Sequence, residues 1–413
     1  VYEYESGVWT QRGGDIDREG SSVSLSSNGK VLAIGGAVYE YGSGGWTQRG
    51  GDIRDERGAV SLSSDGNVLA TGGPAYNNIR VYEFGSGVWT QRGGDIALAS
   101  SGYSISLSSN GNVFAIAYLL NIGYFTDAGY VRVYEYGSGG WSPRGGDIYG
   151  EASNDGFGWS VSLSGDGNLL AIGANGNDGK GVNAGHVRVY QFTGSPSTAS
   201  PNIKPTSSPT SVAPPPIKYP TASPSSKRPT DEPTNFNVVW TQLGGDIDGE
   251  SAYDYSGHSV SLSINGDVLA IGAPGSDGNG TNSGHVRVYE YGSGGWTQRG
   301  GDINGEAAGD NSGRSVSLSG DGTVLAIGAL LNDGYGIDSG HVRVYEYVSG
   351  GWSQRGGDID GVAAGDQSGY SFSLSSDGSV LAIGALFNEG SGHVQVYEYG
   401  SGVWTQRGGD IDG

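Results

Sequence analysis

No cysteine occurs in the chain, and no methionine, not even at position 1. The first absence excludes a disulfide framework and a thiolate metal site, and does not place the compartment. The second is expected of a processed chain or of a window on a longer repeat array, from which any signal peptide is already missing. No apolar run approaches the roughly 20 residues of a membrane helix, so membrane insertion is not expected. Basic residues are scarce: 22 Lys and Arg stand against 43 Asp and Glu, a net charge of −21. Such a surface repels nucleic acid and anionic membranes and favours cations or basic partners. Proline is nearly absent outside one segment, since eleven of the 14 lie in residues 193–237. Glycine is abundant, at 80 of 413 residues. Each glycine inside a helix costs about 1 kcal/mol relative to alanine, which argues against a helical fold.

What is present is a repeat. "WTQRGGDI" or a near copy starts at Trp9, Trp46, Trp89, Trp141, Trp240, Trp296, Trp352 and Trp404. "SVSLS", then "VLAIG", then "VYEY" precede it in each of seven complete units, and one extra "VYEY…WTQRGGDI" stands at the front. The repeated segments read as four short strands: A (SVSLS), B (VLAIG), C (HVRVYEY) and D (WTQRGGDI). Strand A alternates small polar and apolar residues, the period of a sheet. Asn-Gly or Asp-Gly joins A to B in all seven units, at Asn28, Asp65, Asn110, Asp166, Asn265, Asp321 and Asp377. That dipeptide predicts a type I′ hairpin turn. Four antiparallel strands recurring about every 50 residues predict a propeller blade, and seven blades predict a closed ring. The small residues of A and B suit the crowded centre. The Trp and Tyr of C and D suit the wider rim, packed between blades.

Residues 157–192, "FGWSVSLSGDGNLLAIGANGNDGKGVNAGHVRVYQF", resemble an FG-GAP repeat, the blade type of the integrin α-subunit propeller. Residues 257–291 resemble it too and keep a Gly-Ala-Pro triplet at 272–274. The resemblance covers every unit. It implies an all-β, seven-bladed propeller of four-stranded antiparallel blades. In that family the A–B loop of some blades carries a D-x-D-x-D-G calcium site. Here that loop has shrunk to a tight turn with at most one acidic residue, so no calcium site carries over.

The Pro-rich segment, rich also in Ser and Thr, cannot build a core and favours an extended polyproline conformation. Thr206, Ser207, Ser208, Thr210, Ser211, Thr221 and Ser223 are candidate O-glycosylation sites, and Asn279 opens an N-x-T sequon. The repeats locate the segment. Strand C carries Glu and strand D carries Arg in the other units, as in Glu290 and Arg299, whereas Gln191 and Leu243 replace both at the insertion. Cross-strand pairs of this kind are lost together. Residues 1–192 and 238–413 are therefore expected to form one ring, interrupted by a C–D loop over 193–237.

No catalytic set is found. His186, His285, His341 and His393 occupy one equivalent position at the start of strand C, a fold position first. The D–A loops hold the best candidates for a cation. They bring Asp246, Asp248 and Asp254; Asp302, Asn304, Glu306 and Asp310; and Asp358, Asp360 and Asp366 close in sequence, and calcium is the ion that such oxygens suit. The plain alternative is an Asp capping its own turn. The expectation is an extracellular or cell-surface structural or adhesive propeller that is not an enzyme. It would self-associate, as in a filament, or bind surface proteins or glycans; the alternative is a monomeric glycan- or protein-binding module. Residues 1–17 and 396–412 differ only at Glu5 and Gly400, so eight C–D hairpins compete for seven seats.

Overall fold

The computed structural model describes residues 2–5, 8–11, 22–51, 53, 58–73, 78–97, 104–118, 121–122, 125–126, 128–194, 239–386 and 392–412. The sugar acceptors expected between Thr206 and Ser223 lie outside the described residues. Seven antiparallel sheets follow one another along the chain, each with strand order A-B-C-D. In the fifth blade these are Ser259–Leu262, Val268–Ala273, His285–Gly292 and Gly295–Gln298. Six blades add a two-residue strand, such as Ile303–Asn304, that pairs back on the start of strand C. No helix occurs among the described residues. The protein is a seven-bladed β-propeller.

Blade stacking explains the strand patterns. Strand B is buried along its whole length because both its faces are covered. Val268 and Ala270 pack toward the sixth blade, against Leu318 and Leu325. Leu269 and Ile271 pack toward the fourth, against Val187 and Val189. A strand covered on both faces reads as a continuous apolar run rather than an alternating one. The first and seventh blades close the ring by the same packing, with Leu32 and Ile34 beside Ala382 and Val396.

Strand A is the innermost, and its free edge would leave backbone donors unpaired at the centre. The middle serine of the preceding blade's strand A satisfies them. The N–H groups of Leu25, Leu62, Leu107, Leu163, Leu262, Leu318 and Leu374 donate to the hydroxyls of Ser373, Ser24, Ser61, Ser106, Ser162, Ser261 and Ser317 at 2.9–3.1 Å. All seven junctions are bridged this way. A second circuit runs through the A–B turns. The N–H of Ser27 donates to the carbonyl of Ser64, and so on through Ser109, Gly165, Ile264, Gly320 and Ser376 back to Ser27, at 2.7–2.9 Å.

The A–B turn is not the type I′ turn expected. The residues with positive φ are the glycines, for instance Gly29 (64°) and Gly322 (68°); the preceding Asn or Asp is not among them. The turn instead closes with Gly322 N–H donating to the Ser319 carbonyl at 3.0 Å, followed by the left-handed glycine. The Asn or Asp is needed for its side chain. Asp321 Oδ1 accepts from the Ser319 hydroxyl and from Thr323 N–H. Burial pushes the Asp321 carboxyl up, but these donors outweigh it and hold the group below the ordinary range. The glycine is needed twice, because a Cβ there would also lie 2.6 Å from Val268 Cβ of the preceding blade.

The rim is locked by the repeated Trp. In each of the seven blades the repeated Trp Nε1 donates to the carbonyl of the strand-D Arg in the preceding blade, or of Leu243 in the one blade that lacks it, at 2.7–3.1 Å. Five of the expected Glu–Arg pairs form within the blades at 3.6–3.9 Å, with the Glu exposed. Exposed pairs at that distance contribute little. The arginines do more across blades. Six of them stack 4.0–4.3 Å over the strand-C aromatic of the next blade, as Arg299 does over Tyr347.

The strands flanking the Pro-rich segment pair with each other. His186–Thr193 lies beside Val239–Gln242, with Tyr190 opposite Gln242. They are strands C and D of the fourth blade, and Leu243 fills the space of an arginine by packing on the core beside Trp296. The duplicated ends are also resolved. The C-terminal hairpin, His393–Gly400 with Val403–Gln406, completes the seventh blade. Among the described residues, the N-terminal copy, Tyr2–Glu5 with Val8–Gln11, pairs with no blade.

Three substitutions test these constraints separately. Ser261→Ala leaves Leu318 N–H without its partner and lowers stability by about 1–2 kcal/mol. Gly322→Ala meets both the left-handed backbone and the Val268 side chain and costs about 2 kcal/mol or more. Asp321→Asn is tolerated, because Asn serves at the equivalent positions 28, 110 and 265. Denaturant unfolding reads all three, and a Gly322→Ala chain as stable as the parent would refute the turn geometry.

Candidate functional site

The meander puts the B–C loops and the D–A connections on the face opposite the A–B turns. In blades four to six these loops are long and knitted together. Gly185 bridges Ser256, Gly284 bridges Ser312 and Gly340 bridges Ser368, each joining a B–C loop to the connection that enters the next blade. The short fifth strand brings Asp248, Asn304 and Asp360 opposite His186, His285 and His341. The histidines are buried, at 1–2% exposure. Burial, with Arg188 or Arg287 two residues on, depresses the pKa of His186 and His285. The same causes, with Arg343, bring His341 down to about 4. The rings are therefore neutral near pH 7.

Beside each histidine stand two carboxylates from different loops. The clusters are Glu151, His186 and Asp246; Glu250, His285 and Asp302; and Glu306, His341 and Asp358, with one donor atom of each residue within 4.8 Å of the others. An arginine enters each. Arg188 holds Asp246 with two bonds, at 2.8 and 2.7 Å, and pairs with Glu151 as well. These bonds bring the Asp246 carboxyl down to about 2. Arg287 and Arg343 instead pair with Glu250 and Glu306 at 3.1 Å. They also donate to the carbonyls of Asp248 and Asn304 in the preceding blade. Asp302 and Asp358 are left to Gln298 and Gln354. In the seventh blade Val362 and Gln395 replace both the Glu and the Arg, so that charge pair disappears as a unit.

The acidic residues picked out in the sequence are distributed differently from their spacing. Asp246, Asp302 and Asp358 join the clusters just described. Asp248 lies 3.7 Å from Lys180. Burial and Asp358 push the Asp360 carboxyl up, and it sits 3.9 Å from His341. Asn304 receives Arg343 on its backbone carbonyl. Asp254, Asp310 and Asp366 are buried and accept the N–H of Ser251, Ala307 and Ala363, three residues earlier in their own loops. Asn332 of the sixth blade also donates to Asp310, at 3.0 Å. Among the described residues, no trio drawn from these Asp alone brings its oxygens within 4.8 Å. Glu306 was picked out and joins a cluster, but the histidines, Glu151 and Glu250 were missed as site residues. The signal was there: His at the first position of strand C and Glu five residues into the same unit's D–A loop recur together. Asn279, the sequon asparagine, is exposed, with its amide donating to the Gly305 carbonyl at 2.8 Å.

The same face exposes apolar side chains. Tyr149, Val182, Tyr253, Tyr335, Ile337 and Val362 lie on its loops, and Tyr335 and Ile337 are 69% and 75% exposed. Tyr253 has φ 69° and Tyr255 φ 55°, a backbone region that a bulky residue seldom adopts. The rim tryptophans offer no such platform, since their indoles are spent on inter-blade bonds.

Residues 150–190, 248–289 and 304–345 match the family described as "FG-GAP repeat", and these are the three units that build the clusters. No curated protein matches the chain. Solved structures share its fold. A putative 6-phosphogluconolactonase from Bacteroides uniformis is 13% identical with a TM-score of 0.58, covering 94% of this chain and 95% of that one. The periplasmic gluconolactonase PpgL of Pseudomonas aeruginosa is 16% identical with a TM-score of 0.57, with the same coverage. A functionally unknown protein from Desulfotomaculum acetoxidans is 11% identical with a TM-score of 0.54, covering 94% and 98%. These neighbours correct the expectation that the chain is not an enzyme. Two of them carry enzyme names on the same propeller, so neither the fold nor the lack of a linear motif excludes catalysis. The physical reason is that a propeller can assemble a site from loops of separate blades, which leaves no motif in the chain. At 11–16% identity the likeness shows the fold alone and assigns no reaction.

The Arg188–Asp246 pair sets an acid limit on this face. A carboxyl at about 2 when folded and 3.8 when unfolded stabilises the fold above pH 4, and that contribution fades as pH falls toward 2. Asp246→Asn is expected to cost about 1–2 kcal/mol at pH 7, discounted because water screens the partly exposed carboxylate. The cost disappears near pH 2, as urea melts across pH 2–7 would show. A penalty that does not change with pH would refute the pairing.

Proposed function

We propose that the chain is a propeller of the cell surface or secreted material, adhesive or structural in role, that binds partners through the loop face of blades four to six. The observation that carries this reading is the asymmetry of the ring. Its centre and rim repeat nearly unchanged through seven blades, while the long loops, charged clusters and exposed Tyr are concentrated on one face; the exposed apolar residues of the turn face, such as Val88, Ile264 and Val403, are aliphatic. Scattered exposed apolar residues are ordinary, but several on the loops of one face suit a contact surface. FG-GAP repeats are typical of extracellular proteins, which supports the setting. The Pro, Ser and Thr composition of 193–237 supports a spacer that bears O-linked sugar, leaving the fourth blade on the opposite face.

Glycans are the favoured ligand class among surface partners, because exposed Tyr beside carboxylate and guanidinium groups matches the apolar face and hydroxyl edge of a sugar ring. Binding of the purified chain to an array of surface glycans tests this. Tyr335→Ser with Ile337→Ser is expected to weaken binding about tenfold, the loss of 1–2 kcal/mol of apolar contact. Val403→Ser, on the turn face, leaves it unchanged. Equal binding by all three chains would refute the assignment of the face.

Self-association is proposed for the spare hairpin. Strand edges that pair with no blade are templates for another chain, and a head-to-tail contact builds filaments. Negative-stain images of the full chain are expected to show linear assemblies that are lost when residues 1–17 are deleted. Assemblies that survive the deletion would rule the hairpin out as the connector.

A further inference from the structure

We propose that His285, Glu250 and Asp302 form a site for one divalent cation of the borderline class of Zn2+, joining the connection between blades four and five to the fifth blade. The site is independent of what the loop face binds. Three of its features occur together in neither sister cluster, although the fourth blade's His186 shares the first and the sixth blade's Asp358 the third. First, His285 is 2% exposed and its Nε2 is buried without a hydrogen-bond partner. A buried nitrogen left unpaired costs free energy, which a ligand would recover. Second, the ring is held from behind. Ser276 Oγ lies 2.8 Å from His285 Nδ1, which fixes the ring's orientation as an outer hydrogen bond does for a metal ligand. In blades four and six the residue at this position is an asparagine, Asn177 or Asn332, that turns to Asp155 or Asp310 instead. Third, Asp302 is free of arginine; its carboxylate takes one bond from the Gln298 amide, at 2.6 Å.

The sister clusters show what disqualifies a site. In the fourth blade Arg188 grips both carboxylates, so a guanidinium already supplies the positive charge. In the sixth, His341 turns Nδ1 toward Asp360 at 3.9 Å and leaves no buried unpaired nitrogen. In the fifth, Arg287 touches the site only through Glu250, at 3.1 Å, and has a second anchor in the Asp248 carbonyl at 2.9 Å. Glu250 can therefore leave Arg287 for a cation without stranding the guanidinium. One imidazole with two carboxylates favours a borderline ion over calcium, which takes oxygen alone. Water completes the coordination on the exposed side, where Glu250 and Asp302 reach solvent.

The test uses the full chain, stripped with chelator and titrated calorimetrically with ZnCl2, with Co2+ absorption as a second readout. One saturable equivalent is expected. His285→Gln and Asp302→Asn each weaken it by about tenfold or more, in the range of a lost ligand or its support. Arg287→Gln tightens it by freeing Glu250, and Glu151→Gln in the fourth blade leaves it unchanged. Asp302 is at the surface, so its variant keeps the test valid if His285→Gln misfolds. No saturable Zn2+ binding, or binding that persists in the Asp302→Asn and Glu250→Gln chains, would overturn the proposal. A Co2+ spectrum identical in the parent and Asp302→Asn would do the same.

Discussion

The inner edge of every blade is a row of backbone donors with no strand beside it, and the ring depends on how those donors are satisfied. A serine hydroxyl is small enough to fit and can reach across to the next blade's leucine N–H. Because each blade both accepts and donates, the contact has a direction, and it is complete only when the seventh blade reaches the first. The backbone circuit through Ser27, Ser64, Ser109, Gly165, Ile264, Gly320 and Ser376 has the same property. Closed circuits of this kind reward closure as a whole. They also explain why the A–B turn tolerates so little: the glycine that starts each hairpin sits against an aliphatic side chain of its neighbour.

Outside that centre, the blades are free to differ. The rim needs one indole donor and one backbone carbonyl per junction, and because the acceptor is backbone, Leu243 serves as well as an arginine. The loop face needs even less, which is why it varies. Arg80, Arg132 and Arg188 pair with an Asp of their own blade. Arg287 and Arg343 have moved to a Glu and a carbonyl from the preceding blade, and Gln395 has left the charged scheme. Moving the arginine away from the Asp is what makes the fifth blade's cluster chemically distinct from the fourth's, although the two have the same His, Glu and Asp.

The fold was legible because it depends on local chemistry repeated seven times. Alternation in strand A, the unbroken apolar run in strand B and Asn-Gly or Asp-Gly between them each report a short-range constraint. The paired loss at Gln191 and Leu243 likewise marked strands C and D of one blade across the Pro-rich segment. The turn type was misread because the dipeptide alone does not say which residue takes positive φ; the Ser hydroxyl two residues earlier decides it. The loop face was read by spacing, and spacing misled. Asp246, Asp248 and Asp254 are neighbours in the chain, yet one meets Arg188, one approaches Lys180 and one caps its own turn.

By itself, then, the sequence determined the blade, the blade count, which strands face the centre and which the rim, and the strands that flank the insertion. All of these follow from contacts within one repeat or between identical positions of consecutive repeats. Tertiary structure alone decided which of the two terminal hairpins completes the seventh blade, since 1–17 and 396–412 are nearly the same string. It alone also decided which carboxylates meet His285. Glu250, His285 and Asp302 come from a connection, a strand start and a strand end separated by up to 52 positions (250 to 302). Only the packing of the fifth blade against the connection that enters it sets those three segments side by side.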